Sequence, residues 1–409
     1  MQKFPRNALF MATLLACASI AQAEDAPAAA PAAPAADAKP AGPTISDILT
    51  NSGVELKGYI DVAAEFTDLK SFSAGNPYKV FDADHSGLTM HQAAFTLDKL
   101  PKEGFGGLVN VTYGHDANVI KSYDTTAGDY LDVTQLFAQY AHGPLTVALG
   151  KFVTLAGAEV IDSSANTNFS RSLLFGQIPF THTGVRATYA VDDTTNLIFG
   201  VNNGWDQLKD ANTQKTVELG VTANPVKPLT LAASLYSGVE PVYGPYNYAA
   251  AYAVPLTLTA QQATAYRTQG NRTLFDFVGT YAASDKLSLV LNVDYAVQEN
   301  YTNAAGASVD AKWYGAALYV NYAIDDSNRI SIRGEQLTDD QGYRTGLADY
   351  TSHKDTEITL TYGYSPAKNF ELRAEVRADS VDHDGVLIKQ DGTSTKTGTT
   401  VALQGVYKF

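Results

Sequence analysis

Apolar and polar side chains alternate one by one along most of the chain from residue 54 onward. The stretch NFELRAEVRAD at 369–379 separates Glu371, Arg373, Glu375 and Arg377 by single apolar residues. Because a β-strand points successive side chains to opposite faces, this stretch predicts a strand with one ionic and one apolar face. NRISIRGEQ at 328–336 repeats the pattern, with the charges of Arg329, Arg333 and Glu335 on one face.

We count about sixteen such segments, so the chain is predicted to be all-β with about 16 strands (14 or 18 being the alternatives). They begin near residues 54, 86, 104, 131, 143, 181, 195, 213, 228, 272, 286, 311, 328, 355, 369 and 398. Short turns rich in Asp, Asn, Pro and Ser alternate with longer connections. Short turns at one rim and long loops at the other are typical of a transmembrane antiparallel up-and-down β-barrel.

A soluble β-sandwich would also alternate apolar and polar residues, so the pattern alone leaves that fold open. Two features favour the barrel: the ionic face recurs on most segments, and the apolar face repeatedly ends in aromatic residues. These aromatic residues are Tyr113, Tyr189, Trp205, Tyr281, Tyr362, Tyr364 and Tyr407. The sequence therefore predicts an apolar wall with aromatic girdles facing lipid and a polar, water-filled lumen, in the outer membrane of a Gram-negative bacterium.

The N-terminus predicts export. Lys3 and Arg6 precede a short apolar run, and Ala21-Gln22-Ala23 ends a signal peptide at 1–23. Cys17 leaves a lipoprotein cleavage site as the alternative. Residues 24–53, rich in Ala and Pro, predict a periplasmic linker with a short helix near its end.

Composition narrows the function. The formal charge of −14 becomes −16 once Lys3 and Arg6 are removed with the signal peptide, which argues against nucleic acid as a partner. The mature chain then contains no cysteine, so disulfides and cysteine-based metal chemistry are not expected. No helical membrane span is expected either, because no long uncharged apolar run follows the signal peptide.

Three stretches resemble a known family. They are LKGYID at 56–61, the block from Gly150 to Arg186, and GVNNGWD at 200–206. Together they resemble the OmpL-like β-barrel porins of Gram-negative bacteria. The resemblance runs from about residue 54 to 409 and implies an outer-membrane barrel with a pore, but no particular solute.

The third long connection, 153–180, is the candidate constriction loop. In general porins the third loop folds into the barrel and narrows it. By that analogy Glu159, Asp162 and Arg171 face the constriction, while Lys151 and Arg186 oppose them and set a transverse field. The alternative is a surface loop whose Asn and Ser residues serve turns.

The predicted function is passive diffusion of small hydrophilic solutes or ions, which needs no cofactor. The candidate pore-lining residues are Arg186, Arg329, Arg333, Glu335, Glu371, Arg373, Glu375 and Arg377. Their mixed sign leaves ion preference open, although the net charge favours cations. The alternative is a structural or adhesive barrel with a blocked lumen that acts through its outer loops.

Enzyme and metal patterns are incomplete. Asp82, Asp84, Ser86 and Gly87 match the start of a calcium loop, but its twelfth position is Ala93 rather than Glu. Pairs of Asp and His at 84–85, 115–116 and 382–383 keep a rim protease as a weaker alternative. The tyrosine-rich loop at 239–271 is expected to pack the barrel mouth or to contact sugars.

The predicted partners follow from the barrel. They are outer-membrane lipid, lipopolysaccharide, the barrel-assembly machinery and small solutes, and a homotrimer is a further candidate. The last strand ends in Tyr407 and Phe409 on its apolar face, which resembles the sorting signal of bacterial outer-membrane proteins.

Overall fold

A computed structural model describes residues 44, 49, 51–70, 78–82, 86–122, 130–210, 212–240, 270–302, 307–344 and 352–409. The predicted signal peptide and almost all of the predicted linker lie outside these residues. So do Asp84 and His85 of the calcium-like stretch and nearly all of the tyrosine-rich loop.

Sixteen antiparallel strands of the described chain close into a barrel. A hairpin of two further strands, each two residues long, forms a separate sheet. The barrel strands are β1 (Glu55–Thr67), β2 (Ser86–Lys99), β3 (Gly104–Tyr113), β4 (Leu131–His142), β5 (Leu145–Val153), β6 (Thr181–Ala190), β7 (Thr195–Asn202), β8 (Thr216–Val226), β9 (Leu229–Val239), β10 (Asn271–Ala282), β11 (Leu287–Thr302), β12 (Ser308–Ala323), β13 (Asn328–Asp339), β14 (His353–Ala367), β15 (Phe370–Val381) and β18 (Thr397–Lys408). The hairpin consists of β16 (Leu387–Ile388) and β17 (Ser394–Thr395). The prediction of a sixteen-stranded barrel is confirmed, with the largest differences in strand start at β8 (216 rather than 213) and β12 (308 rather than 311).

Helical structure in the described part is short. It includes the helical residues Leu49, Asn51 and Ser52, α1 (Ala117–Ile120) and the 3-10 turns Ser163–Ala165, Phe175–Gln177 and Asp340–Gly342. None of the described helices has the length and apolar character needed to cross a membrane.

Alternation along the strands produces the two faces that the sequence predicts. On β13–β15 the outward residues Ile332, Ile358, Leu360 and Val376 are exposed, whereas their neighbours along each strand point inward. Each strand satisfies its backbone groups by pairing with both neighbours, so the closed ring leaves no sheet edge in lipid.

A β-bulge explains why the pattern of β4 is irregular. The register between β3 and β4 shifts at Asn110/Val111, so that Val111 pairs with Val133 and Asn110 with Gln135. One extra residue reverses which side chains face inward, because the side-chain period of a strand is two. Gln135 and Phe137 consequently lie on the inner side, although Leu131 and Val133, of the same parity, are exposed.

The ends of the chain close the ring. β1 pairs with β18, and Gly58 and Phe409 exchange both backbone hydrogen bonds at 2.9 Å. The Phe409 ring lies 5.5 Å from the Phe95 ring, centroid to centroid, on the outer surface. The sorting role of Tyr407 and Phe409 stays a prediction.

The assignment of Trp205 to an outer girdle is wrong. Trp205 follows the end of β7, so strand parity does not apply to it, and only 2% of its surface is exposed. Its ring packs against Trp313, and the Arg272 guanidinium lies 4.9 Å from its centroid. Contact with an arginine and an edge-to-face contact with a second indole bury this large ring better than the membrane interface would.

Candidate functional site

Residues 154–180, here called the lumenal segment, leave the wall between β5 and β6 and cross the barrel interior. Their hydrogen-bond partners include Glu335 and Arg333 on β13. β13 lies eight strands away from β5 in a ring of sixteen, on the opposite side of the barrel. A segment that contacts both sides of the ring lies inside it.

Arg333 forms the ionic centre of this crossing. Its side chain is fully buried, and its Nη1 lies 2.8 Å from Glu159 Oε1 of the lumenal segment. Its Nε lies 3.0 Å from Glu357 and 3.4 Å from Glu335 on the wall. A buried guanidinium is tolerated only when acids and hydrogen-bond acceptors surround it, so this cluster specifies where the segment sits.

Wall carboxylates also hold the backbone of the lumenal segment. Glu375 on β15 accepts hydrogen bonds from Phe169 N at 2.7 Å and Ser170 N at 2.9 Å. Glu335 accepts one from Leu173 N at 2.8 Å. These bonds satisfy backbone donors that are buried without regular secondary structure, as buried amides require.

Arg171 and Asp162 stabilise the segment itself. The buried Arg171 guanidinium donates to the carbonyls of Val160, Ile161 and Phe169, and it lies 5.0 Å from the Phe81 ring. Asp162 Oδ1 accepts from Ser164 N at 2.7 Å and so caps the turn Ser163–Ala165. Of the three candidate constriction residues, Glu159 forms an ion pair with the far wall.

Lys151 and Arg186 lie on the same side of the barrel as the ends of the lumenal segment, and each forms an ion pair with an acid of the wall. Lys151 Nζ lies 3.2 Å from Asp132, and Arg186 Nε lies 2.6 Å from Glu218. The Arg186 guanidinium also stacks 4.0 Å from the centroid of the Phe152 ring. Asp132 belongs to β4, which pairs with the strand of Lys151, whereas Glu218 belongs to β8, two strands from Arg186 across β7.

Most candidate pore-lining residues are covered by the lumenal segment. Arg333, Glu335, Arg373, Glu375 and Arg377 are each 7% exposed or less. Arg377 Nη1 donates to Arg171 O at 2.7 Å, and Arg373 Nη1 donates to Ser163 O at 3.1 Å. Their charges are therefore engaged by the segment and by each other.

Arg329 and Glu371 lie nearer to the short-turn rim and keep some exposure. Glu371 bridges Arg329 at 2.7 Å and Arg373 at 2.7 Å, and the Arg329 side chain is 22% exposed. A cavity of about 260 Å³ next to them is also lined by Lys368 and Lys408. The cavity is thus lined by four cationic side chains, including Arg373, and by the carboxylate of Glu371.

A second cavity, of about 250 Å³, lies between the lumenal segment and the opposite part of the wall. Its wall lining on β2–β4 consists of uncharged polar side chains, namely Thr96, Asn110, Thr112, Thr134 and Gln135. They hydrogen-bond among themselves, for example Asn110 to Thr96 at 2.7 Å and Thr112 to Thr134 at 2.8 Å. These side chains carry no charge, so the charged positions of the sequence pattern do not point to them.

Other connections also fold inward. Lys79 bonds Thr400 on β18, and Phe81 packs on Phe175. Asp206 accepts from Phe180 N and Thr181 N at 2.8 Å each, where the lumenal segment returns to the wall. Burial raises the pKa of Asp206 to about 6, although these two hydrogen bonds oppose the shift. The interior thus contains apolar packing that the expectation of a simple water-filled lumen did not include.

Comparisons with known proteins agree with this architecture. The sequence model of the family described as "Putative beta-barrel porin-2, OmpL-like" matches residues 53–409. No curated protein matches the chain.

Among solved structures, the outer membrane channel DcaP of Acinetobacter baumannii superimposes with a TM-score of 0.56 at 14% identity, covering 87% of this chain and 97% of that one. OmpT of Vibrio cholerae gives 0.57 at 13% identity, with 87% and 97% covered. The anion-selective porin of Comamonas acidovorans gives 0.54 at 11% identity, with 87% and 99% covered. At these identities the structures support the fold, and the family match covers almost the whole barrel. The chain therefore belongs to the OmpL-like β-barrel porins of the Gram-negative outer membrane.

Proposed function

We propose that the protein lets small hydrophilic solutes and ions diffuse passively past the lumenal segment, on the side formed by β2–β4. The observation that supports this proposal is that the lumenal segment fills one side of the barrel interior and leaves a cavity on the other. The segment is pressed against β13–β15, whereas a cavity of about 250 Å³ separates it from the polar side chains of Thr96, Asn110 and Gln135.

The route on this side favours a narrow pore with weak ion selectivity. Its β2–β4 wall offers hydroxyl and amide groups, which can replace water around a solute but carry no net charge. The segment side of the cavity adds Asp162 and Glu159, the latter paired with Arg333. The charges of Arg333, Glu375 and Arg377 act mainly on the segment, since they are buried beneath it. Arg329 and Lys368 near the short-turn rim then supply the main cationic influence on ions.

Planar-bilayer recording of the refolded protein tests this function. We expect small, reproducible conductance steps and a reversal potential near zero across a salt gradient. Folded, heat-resistant protein without conductance would contradict diffusion and favour the structural barrel that acts through its loops, a reading to which the apolar packing inside the barrel lends weight.

We further propose that the protein has no catalytic activity. His115 and Asp116 of one candidate pair lie 3.8 Å apart, and Asp116 is already engaged by His91 at 2.9 Å and by Gln92 at 2.8 Å. A carboxylate held by several donors is a poor general base, because these donors stabilise its charged form and lower its pKa. Protease and lipase assays on a His115→Ala variant would reveal any loss of activity that contradicts this assignment.

The assembly and partners are also part of the proposal. The exposed apolar face is expected to contact lipid and lipopolysaccharide, and the terminal strand with Tyr407 and Phe409 to be read by the barrel-assembly machinery. A homotrimer is the candidate assembly, since OmpT of Vibrio cholerae has a trimer form. Mass measurement in detergent distinguishes a trimer from a monomer.

A further inference from the structure

Two imidazoles and a carboxylate meet at the long-loop rim of the barrel. His353 is the first residue of β14, and Asp382 and His383 directly follow β15. One ligand-capable atom from each of the three lies within 4.8 Å of the others. The two rings are 4.7 Å apart, centroid to centroid, and His383 Nδ1 is 2.6 Å from Asp382 Oδ1.

The fold places these groups together from two different elements. β14 and β15 are paired neighbours, and Asp382 N donates to Lys354 O at 3.1 Å while Lys354 N donates to Asp382 Oδ1 at 3.0 Å. These bonds fix the carboxylate beside the start of β14. The site therefore rests on the rigid end of the barrel wall.

The surrounding charge favours a cation. Asp339 is the cross-strand partner of His353, and the Asp382 carboxylate accepts a hydrogen bond from Lys354 N at 3.0 Å. Lys396 is the opposing cation close by, and its Nζ bonds the Asp382 carbonyl rather than the carboxylate.

We infer that His353, Asp382 and His383 form a binding site for a divalent transition-metal ion such as Zn²⁺ at the extracellular rim. Imidazole nitrogen and carboxylate oxygen suit Zn²⁺, Ni²⁺ and Cu²⁺ better than Ca²⁺ or Mg²⁺, which prefer oxygen ligands alone. Ligand atoms around tetrahedral zinc lie roughly 3.3 Å apart. Atoms within 4.8 Å reach that spacing through small side-chain rotations. Water completes the coordination, since His383 and Asp382 are 34% and 41% exposed.

A second cluster has the same residue types but lies in different surroundings. His91, His115 and Asp116 also bring ligand-capable atoms together, but inside the barrel. There Asp116 already accepts from His91 and from Gln92 Nε2. Asp382 is also held by two donors, Lys354 N and His383, but Asp382 and His383 are exposed to solvent, and only His353 of the rim cluster is buried.

Calorimetric titration of Zn²⁺ into the refolded, detergent-solubilised chain without a polyhistidine tag tests the site. We expect one ion per chain. His383→Ala should weaken binding at least tenfold, since loss of even an outer partner of a metal ligand costs roughly 10–100-fold. His383 is in an exposed connection, so this variant is expected to fold.

His142→Ala is the matched control, because His142 also contacts a carboxylate, Glu103, at the opposite rim. It should leave the affinity unchanged. Nitrogen hyperfine structure in the Cu²⁺ spectrum, lost from a His353→Ala/His383→Ala double variant, gives a readout that depends on the ligands themselves. Equal affinity in wild type and His383→Ala, an equal loss in His142→Ala, or no Zn²⁺ binding at all would overturn the assignment.

Discussion

The two sides of the barrel interior carry different chemistry. The wall of β13–β15 presents arginine and glutamate, and these charges are buried against the lumenal segment. Part of the wall of β2–β4 presents Thr96, Asn110 and Gln135 to a cavity, while the ionisable residues Asp132 and His91 on these strands are paired with Lys151 and Asp116. Dense charge on a barrel wall can therefore serve to hold an inner segment, and the proposed route runs along the cavity instead.

The largest expected effect comes from removing the ionic centre. Arg333→Met leaves Glu159, Glu335 and Glu357 close together without their shared cation. Breaking such a buried cluster costs about 3–5 kcal/mol. We expect the lumenal segment to detach and the single-channel conductance to rise about twofold or more, because conduction follows pore width.

Lys354→Met is the matched control, since Lys354 is exposed on the neighbouring strand. Its conductance should equal that of the wild type. An Arg333→Met channel with unchanged conductance and unchanged resistance to urea would show that the ionic cluster does not hold the segment.

A smaller effect concerns the end where the lumenal segment rejoins the wall. The pKa of Asp206 is raised to about 6, above its ordinary value of 3.8, chiefly by burial. Between these values the folded state binds more protons than the unfolded state, so the free energy of unfolding falls as the pH rises. Asp206→Asn should raise the free energy of unfolding by up to about 3 kcal/mol at pH 8 and should change it almost not at all near pH 4.

Urea unfolding of both proteins at several pH values measures this difference. The carbonyl of asparagine can still accept from Phe180 N and Thr181 N, so the hydrogen bonds survive the substitution. A gain in stability that is equal at pH 4 and pH 8 would mean that ionisation of Asp206 is not its cause.

The smallest effect is on selectivity. A unit charge about 5–8 Å from the solute path in water contributes roughly 0.5–0.8 kcal/mol, or a two- to fourfold change in permeability ratio. Thr96→Lys should therefore shift the reversal potential towards anions and Thr96→Asp towards cations. Glu375→Gln, a charge change on the covered wall, should shift it little. A larger shift in reversal potential for Glu375→Gln than for the two Thr96 variants would place the route along β13–β15.

The strand pattern of this barrel could be predicted closely, and its interior could not. Period-two alternation located β13–β15 because lipid and lumen impose opposite demands on neighbouring residues. Alternation failed where parity changed, as at the β4 bulge, and where a residue lay beyond a strand, as for Trp205.

The inner contacts depend on which strands face each other across a closed ring. Glu159 and Arg333 are far apart in sequence, and only the order of the strands brings them within 2.8 Å. Charge pointed to Arg333 and Arg377 as functional, but it did not say whether they face solute or the chain itself. The uncharged Thr96 gave no signal, because threonine on the inner face of a strand is ordinary in any barrel.

Paired cysteine labelling tests the central claim most directly. Thr96→Cys and Thr359→Cys are the same substitution on the two sides: Thr96 is half-buried beside the cavity, and Thr359 is fully buried on β14 beside Arg333. Each is made in the mature chain, without Cys17, and a small charged methanethiosulfonate reagent is added during single-channel recording. We predict that Thr96→Cys loses conductance on labelling and that Thr359→Cys does not react. Loss of conductance in Thr359→Cys, with none in Thr96→Cys, would contradict the account.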